Sequence, residues 1–105
     1  MTNSDFSFEF YSEINDPEDT LRAEAEDKLL ALTEGHDDLI GASVSMEELT
    51  GRTTPHCFKA SVVVYIRPDN VAATEKAETA ERALKGALSA VERQVRELRD
   101  RLRNR

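Results

Sequence analysis

Phe58-Lys59-Ala60-Ser61-Val62-Val63-Val64-Tyr65-Ile66-Arg67 sends Phe58, Ala60, Val62, Val64 and Ile66 to one side of the chain and the intervening residues to the other. A period of two over ten residues, rich in β-branched side chains, predicts a strand with one buried face. Something must cover that face with an apolar stripe, and two segments offer one. Leu84, Leu88, Val91, Val95, Leu98 and Leu102 step by four and three, which predicts a long helix running to about Arg103 with Thr79 as its N-cap. At 1.5 Å per residue it spans roughly 37 Å. Leu21, Ala25, Leu29 and Leu32 make a shorter stripe on an earlier helix. There Asp16 is placed to cap, Pro17 suits the first helical position, and Glu18 and Asp19 complement the positive helix end. Gly35 is placed to stop it in a left-handed turn.

The remaining segments read as strands and turns. Phe6, Phe8, Phe10 and Ile14 alternate with Ser7, Glu9, Tyr11 and Glu13, giving a first strand. Ile40, Ala42, Val44 and Met46 alternate as a second, followed by a connection over Glu47 to Pro55 that contains Gly51. Pro68-Asp69-Asn70 supplies a turn, and small residues from Val71 to Ala77 a weak fourth strand. The predicted fold is α+β, in the order β-α-β-β-β-α: a mostly antiparallel sheet with two helices on one face, as a single domain over residues 1–105.

Composition narrows the function. The chain has 105 residues, 33% of them charged and 39% apolar. That is enough for one core, with little room for a deep cleft and a lid. No apolar run approaches the roughly 20 residues of a membrane span. The start lacks the basic, then apolar, pattern of a secretory signal. A single cysteine, Cys57, allows no internal disulfide and fits a reducing compartment, so the expected location is cytoplasmic. The net charge of −7 hides an asymmetry. Residues 1–56 hold only three cations, Arg22, Lys28 and Arg52, whereas residues 57–105 hold eleven of the fourteen Lys and Arg. Partners are then discriminated by face rather than by overall charge.

Catalytic chemistry finds little to work with. His56 and Cys57 are neighbours entering a strand and point to opposite faces, so they cannot pair as base and nucleophile. Two histidines and one cysteine without paired spacing offer no metal site, and no phosphate-binding loop or nucleophile elbow occurs. No cofactor is expected, and the chain does not read as an enzyme. The feature with functional shape is the back of the long helix. At about 100° per residue, Arg82, Lys85, Arg93, Arg96 and Arg103 lie opposite the apolar seam. Cations in such a row release counterions from a phosphate backbone, and the planar guanidinium can grip two oxygens. The same helix also places Glu78–Arg82, Glu81–Lys85 and Glu92–Arg96 one turn apart, where they can pair with each other. Gly86 sits on an exposed flank where alanine would be better by roughly 0.5–1 kcal/mol. A closely approaching partner or simple tolerance would account for it.

The stretch from Asn70 to Arg99, with Glu92-Arg93-Gln94-Val95-Arg96 at its centre, resembles the ribosome hibernation-promoting factors, also called sigma-54 modulation or S30EA proteins. In that family a short strand of small residues leads into a long helix with a Glu-Arg-Gln-(Leu/Val)-Arg run. The strand at 57–67 and the β-α start at 6–33 fit the same plan. The resemblance implies a fold like that of double-stranded RNA-binding domains. It also implies docking in the decoding channel of the small ribosomal subunit, against 16S rRNA, which blocks mRNA and tRNA when growth stops. Carried across position by position, it marks Arg82, Lys85, Arg93, Arg96 and Arg99 as RNA-facing, with Arg103 as a further candidate on the same helix. Family members with an added dimerisation domain are longer, so a chain ending at Arg105 looks like a short form. One departure stands out. The family carries basic residues on its first helix, and here Glu24, Glu26, Asp27 and Glu34 face outward instead. Within a screening length of about 8 Å they would repel phosphates. Ten Arg against four Lys on an acidic chain fit a salt-adapted source. The alternative is a divergent, acidic assembly domain that takes a basic protein partner, or forms a homodimer through Leu98 and Leu102.

Overall fold

The structure is a computed structural model and describes residues 6–13, 20–34, 36, 38–49, 58–67 and 69–103. Its elements are β1 (Ser7–Ser12), α1 (Thr20–Ala31), β2 (Leu39–Glu48), β3 (Phe58–Ile66), β4 (Val71–Ala77) and α2 (Ala80–Arg103). The expected features at Ile14, Asp16 to Asp19, Gly35, Gly51, Pro55 to Cys57 and Pro68 lie outside the described residues.

The four strands form one sheet in the order β1-β2-β3-β4. β1 runs parallel to β2, as a strand joined through a helix does, and the other two pairings are antiparallel. β3 pairs on both sides and keeps its alternation throughout. Ala60, Val62, Val64 and Ile66 are buried, and Lys59, Ser61, Val63 and Tyr65 face the other way, half-buried or exposed. Both helices lie over the buried side. α2 packs Ala83, Leu84, Ala87, Leu88, Val91, Val95 and Leu98 into the core, and α1 adds Leu21, Ala25 and Leu29. The α+β architecture with two helices on one sheet face is therefore borne out.

The start of β2 departs from the expected alternation. Ile40 is exposed and its neighbour Leu39 is buried, because the β2–β3 register shifts between Leu39 and Gly41. Such an irregularity inserts one residue and inverts the parity beyond it. Gly41 follows the shift, and its need for glycine comes from the other neighbouring strand. A Cβ there would stand 2.8 Å from the Ser7 carbonyl oxygen, on the backbone of the neighbouring strand β1. Gly41→Val would have to push β1 away, and a cost on the order of 2 kcal/mol is expected as a lowered urea midpoint with unchanged slope.

The helix ends match their sequence signals where described. The Arg82 amide donates to the Thr79 hydroxyl at 3.1 Å, so Thr79 caps α2 as its residue type predicts. α1 gives way at Leu32 to a turn in which the Thr33 hydroxyl, buried, donates to the Leu30 carbonyl at 2.7 Å. Gly86 has a local explanation: a Cβ would meet the Glu75 side chain of β4 at 3.0 Å, so the helix crosses its edge strand closely there.

Candidate nucleic-acid interface

A 24-residue helix that buries one stripe must expose the opposite one, and α2 exposes arginines. Arg82 and Arg93 are eleven residues apart, roughly 17 Å along the axis, and nearly superposed in azimuth. Both are exposed, and neither has an ion-pair partner among the described residues. Arg96 continues the ridge. Its guanidinium donates to the Glu92 carboxylate at 2.7 Å, yet its side chain keeps 70% of its accessible surface. An exposed pair of this kind contributes about 0–1 kcal/mol and exchanges readily for a better anion.

The remaining predicted cations are more engaged. Lys85 leans toward α1, with its ammonium 3.4 Å from Glu81 and 4.0 Å from Glu24. The inter-helix groove it borders alternates Lys28 and Lys85 with Glu24 and Glu92. One of the acidic residues of α1 therefore neutralises a neighbouring lysine rather than facing outward alone. Arg103 pairs with Asp100 in the last turn of α2 and stays exposed.

Arg99 stands apart from the ridge. Its side chain is only 16% exposed and makes three hydrogen bonds. Nε and one terminal nitrogen donate to the two Asp38 carboxylate oxygens at 2.9 and 2.8 Å, and the same terminal nitrogen reaches the Leu32 carbonyl at 2.8 Å. The hydrogen bonds from Arg99 hold the Asp38 carboxyl below the usual carboxylate range, against the opposing effect of its partial burial. This fork ties the end of α2 to the α1–β2 connection, so the structure gives Arg99 a bracing role. Its partner lies 61 residues away, which no spacing rule in the sequence reveals. On the other flank the Gln94 amide donates to the Ala72 carbonyl at 2.8 Å, holding α2 against β4. Of the Glu-Arg-Gln-Val-Arg run, Val95 is buried, Gln94 braces, and Arg93 and Arg96 face solvent.

Among the described residues no group of three or more His, Cys, Asp or Glu is placed to hold a metal ion. No helix among them is long and apolar enough to cross a membrane. What the arrangement offers is a rigid cationic ridge on a sheet-backed helix.

The sequence model of the sigma 54 modulation protein / S30EA ribosomal protein family matches residues 10–103. The chain belongs to this family. S30EA-type proteins are ribosome-associated factors without enzymatic activity. Solved structures repeat the fold of this S30EA chain. A ribosomal subunit interface protein from Coxiella burnetii superposes with a TM-score of 0.70 at 12% identity, over 90% of this chain and 98% of the other. The Protein Y N-terminal domain of Thermus thermophilus gives a TM-score of 0.68 at 23% identity, over 86% and 94%. A search of curated protein sequences found no match. The family match includes every cation of the ridge.

Proposed function

We propose that this S30EA protein binds the small ribosomal subunit in the cytoplasm and inhibits translation by occluding the decoding channel. α2 is its rRNA-facing element, with Arg82, Arg93 and Arg96 as the phosphate contacts and Lys85 and Arg103 as flanking cations. The observation that carries this reading is the placement of those three arginines on one exposed ridge, directly behind the buried seam. A helix braced along its length, by Gln94 on β4 and Arg99 on Asp38, presents its charges with little loss of freedom on binding. The similar protein from Coxiella burnetii is named for the ribosomal subunit interface, which supports the same location.

The acidic charge of α1 is offset in part where it meets α2. Glu24 faces Lys85 across the groove. Asp27 is exposed on α1, and Glu34, in the turn after it, borders the same groove as Arg96 together with Lys28. The homodimer alternative is weakened by the core: Leu98 is buried within the monomer, leaving Leu102 as the exposed end of the seam.

Pelleting with purified small subunits across a salt series tests the proposal. Three to four phosphate contacts predict that raising salt from 50 to 200 mM weakens binding by roughly 40- to 150-fold. Binding that is indifferent to salt would sink the phosphate-ridge account.

A further inference from the structure

Among the described residues only one face of the sheet is covered by helices, and those of the other face form an unusual surface. Of the four exposed large apolar side chains among the described residues, three, Tyr11, Ile40 and Tyr65, belong to it. The cross-strand register sets Tyr11 of β1 beside Ser45, then Ser61, then Thr74 of β4 in one row. Glu9, Ser43, Val63 and Ala72 make the next row, so Val63 is the one larger apolar side chain on its floor. Tyr65 of β3 sits opposite Gly41, which has no side chain to crowd it. Two phenol rings thus stand above a floor of small residues, mostly hydroxyls, with the Ser61 and Thr74 hydroxyls 3.2 Å apart.

The rings are accessible on the monomer, at 56% for Tyr11 and 37% for Tyr65. Glu9, two residues before Tyr11 on the same face, accepts a hydrogen bond from the Tyr11 hydroxyl and keeps the phenol protonated beyond its ordinary range. Electrostatics on this side differ from the acidic balance of the whole chain. Arg67 and Lys76 are exposed without ion-pair partners among the described residues. Lys59 lies 3.9 Å from Glu47, and Glu9 and Glu13 follow one alternation along β1, so this face is near neutral where the whole chain is acidic.

We propose that this open face binds single-stranded RNA, with bases stacked on Tyr11 and Tyr65, base edges on the serine and threonine hydroxyls, and phosphates near Arg67 and Lys76. Aromatic rings on a sheet accept any base because every base has a π-face, and neighbouring cations supply the backbone attraction. A protein-docking surface needs a contiguous apolar centre, whereas here hydroxyls separate the aromatics. The site lies on the side of the sheet opposite α2 and does not depend on the arginine ridge.

Fluorescence anisotropy of the whole chain with labelled ten-nucleotide oligouridylate and oligoadenylate, beside an RNA duplex, tests it. The expected result is that Tyr11→Ala/Tyr65→Ala weakens single-strand binding at least tenfold. Tyr65 packs over Gly41, so the alanine pair is expected to melt below the parent, and binding is compared at a temperature where circular dichroism shows both folded. Tyr11→Phe/Tyr65→Phe should stay within about threefold of the parent, because stacking is kept. Arg93→Glu/Arg96→Glu should retain single-strand binding, which separates this site from the ridge. The proposal is overturned if the parent protein ignores single strands, if the alanine pair binds them equally well, or if the phenylalanine pair loses as much as the alanine pair. Unchanged oligonucleotide affinity together with weakened pelleting on ribosomal subunits would assign the face to a protein contact and also overturn it.

Discussion

Arg93→Glu/Arg96→Glu is expected to weaken association with the small subunit by on the order of a hundredfold or more at physiological salt, with folding intact. Each arginine that leaves a phosphate forfeits its released counterion, and each glutamate that replaces it adds repulsion over the screening length of about 8 Å. Arg93 has no internal partner among the described residues, so its reversal breaks nothing within the fold. Arg96 gives up a single exposed bond to Glu92, worth less than about 1 kcal/mol. The variant should therefore melt within a few degrees of the parent while failing to pellet with subunits. Arg82→Glu is the internal comparison: one contact rather than two, and a proportionally smaller loss.

Arg99→Ala should behave in the opposite way, lowering stability first. It removes a two-pronged bond to Asp38 and a bond to the Leu32 carbonyl, all in a partly buried setting. Hydrogen bonds to charged partners in such places contribute about 1.5–3 kcal/mol, and the abandoned carboxylate retains its desolvation cost. A loss of about 2–3 kcal/mol is expected in urea unfolding. The pH dependence supplies a second signature. Because Arg99 lowers the Asp38 pKa in the folded state, the bond contributes fully above the unfolded carboxylate value and is lost as pH falls through the folded one. The difference in stability between parent and Arg99→Ala should thus be constant near neutrality and shrink in the acid range. A difference that persists unchanged into strong acid would show that the fork is not what Arg99 contributes.

The contrast between these two arginines shows how far the sequence could be read. Position on a helical wheel separates Arg93, behind the seam, from Arg99, beside it, but it says nothing of what lies beside the seam. Asp38 arrives there only because β2 starts where α1 ends, a tertiary fact with no local signature. The strands were legible wherever the side-chain period held. β3 follows it from end to end, and the small-residue strand β4 follows it except at Glu75, which is exposed. Ile40 misled because a register shift is a property of the pairing rather than of the strand. Gly41 makes room for the Ser7 carbonyl of β1, and glycine's lack of a Cβ carries no sign of which neighbour needs the room. Thr79 was readable because capping is decided within one turn. Glu24 was readable as a helix-surface acid, but its closeness to Lys85 was not. The tyrosines of the open face were visible as outward residues, although their sharing of one surface required the register of all four strands.

The central claim is that the back of α2 lies against rRNA, and directed hydroxyl-radical probing tests it where it matters. An iron chelate would be tethered at position 89, between Arg82 and Arg93 on the ridge, using Ser89→Cys with Cys57→Ser. The account predicts cleavage of small-subunit rRNA in the decoding channel, abolished when Arg93→Glu/Arg96→Glu is added. Cleavage confined to the large subunit, or no cleavage by a protein that still pellets with ribosomes, would contradict it.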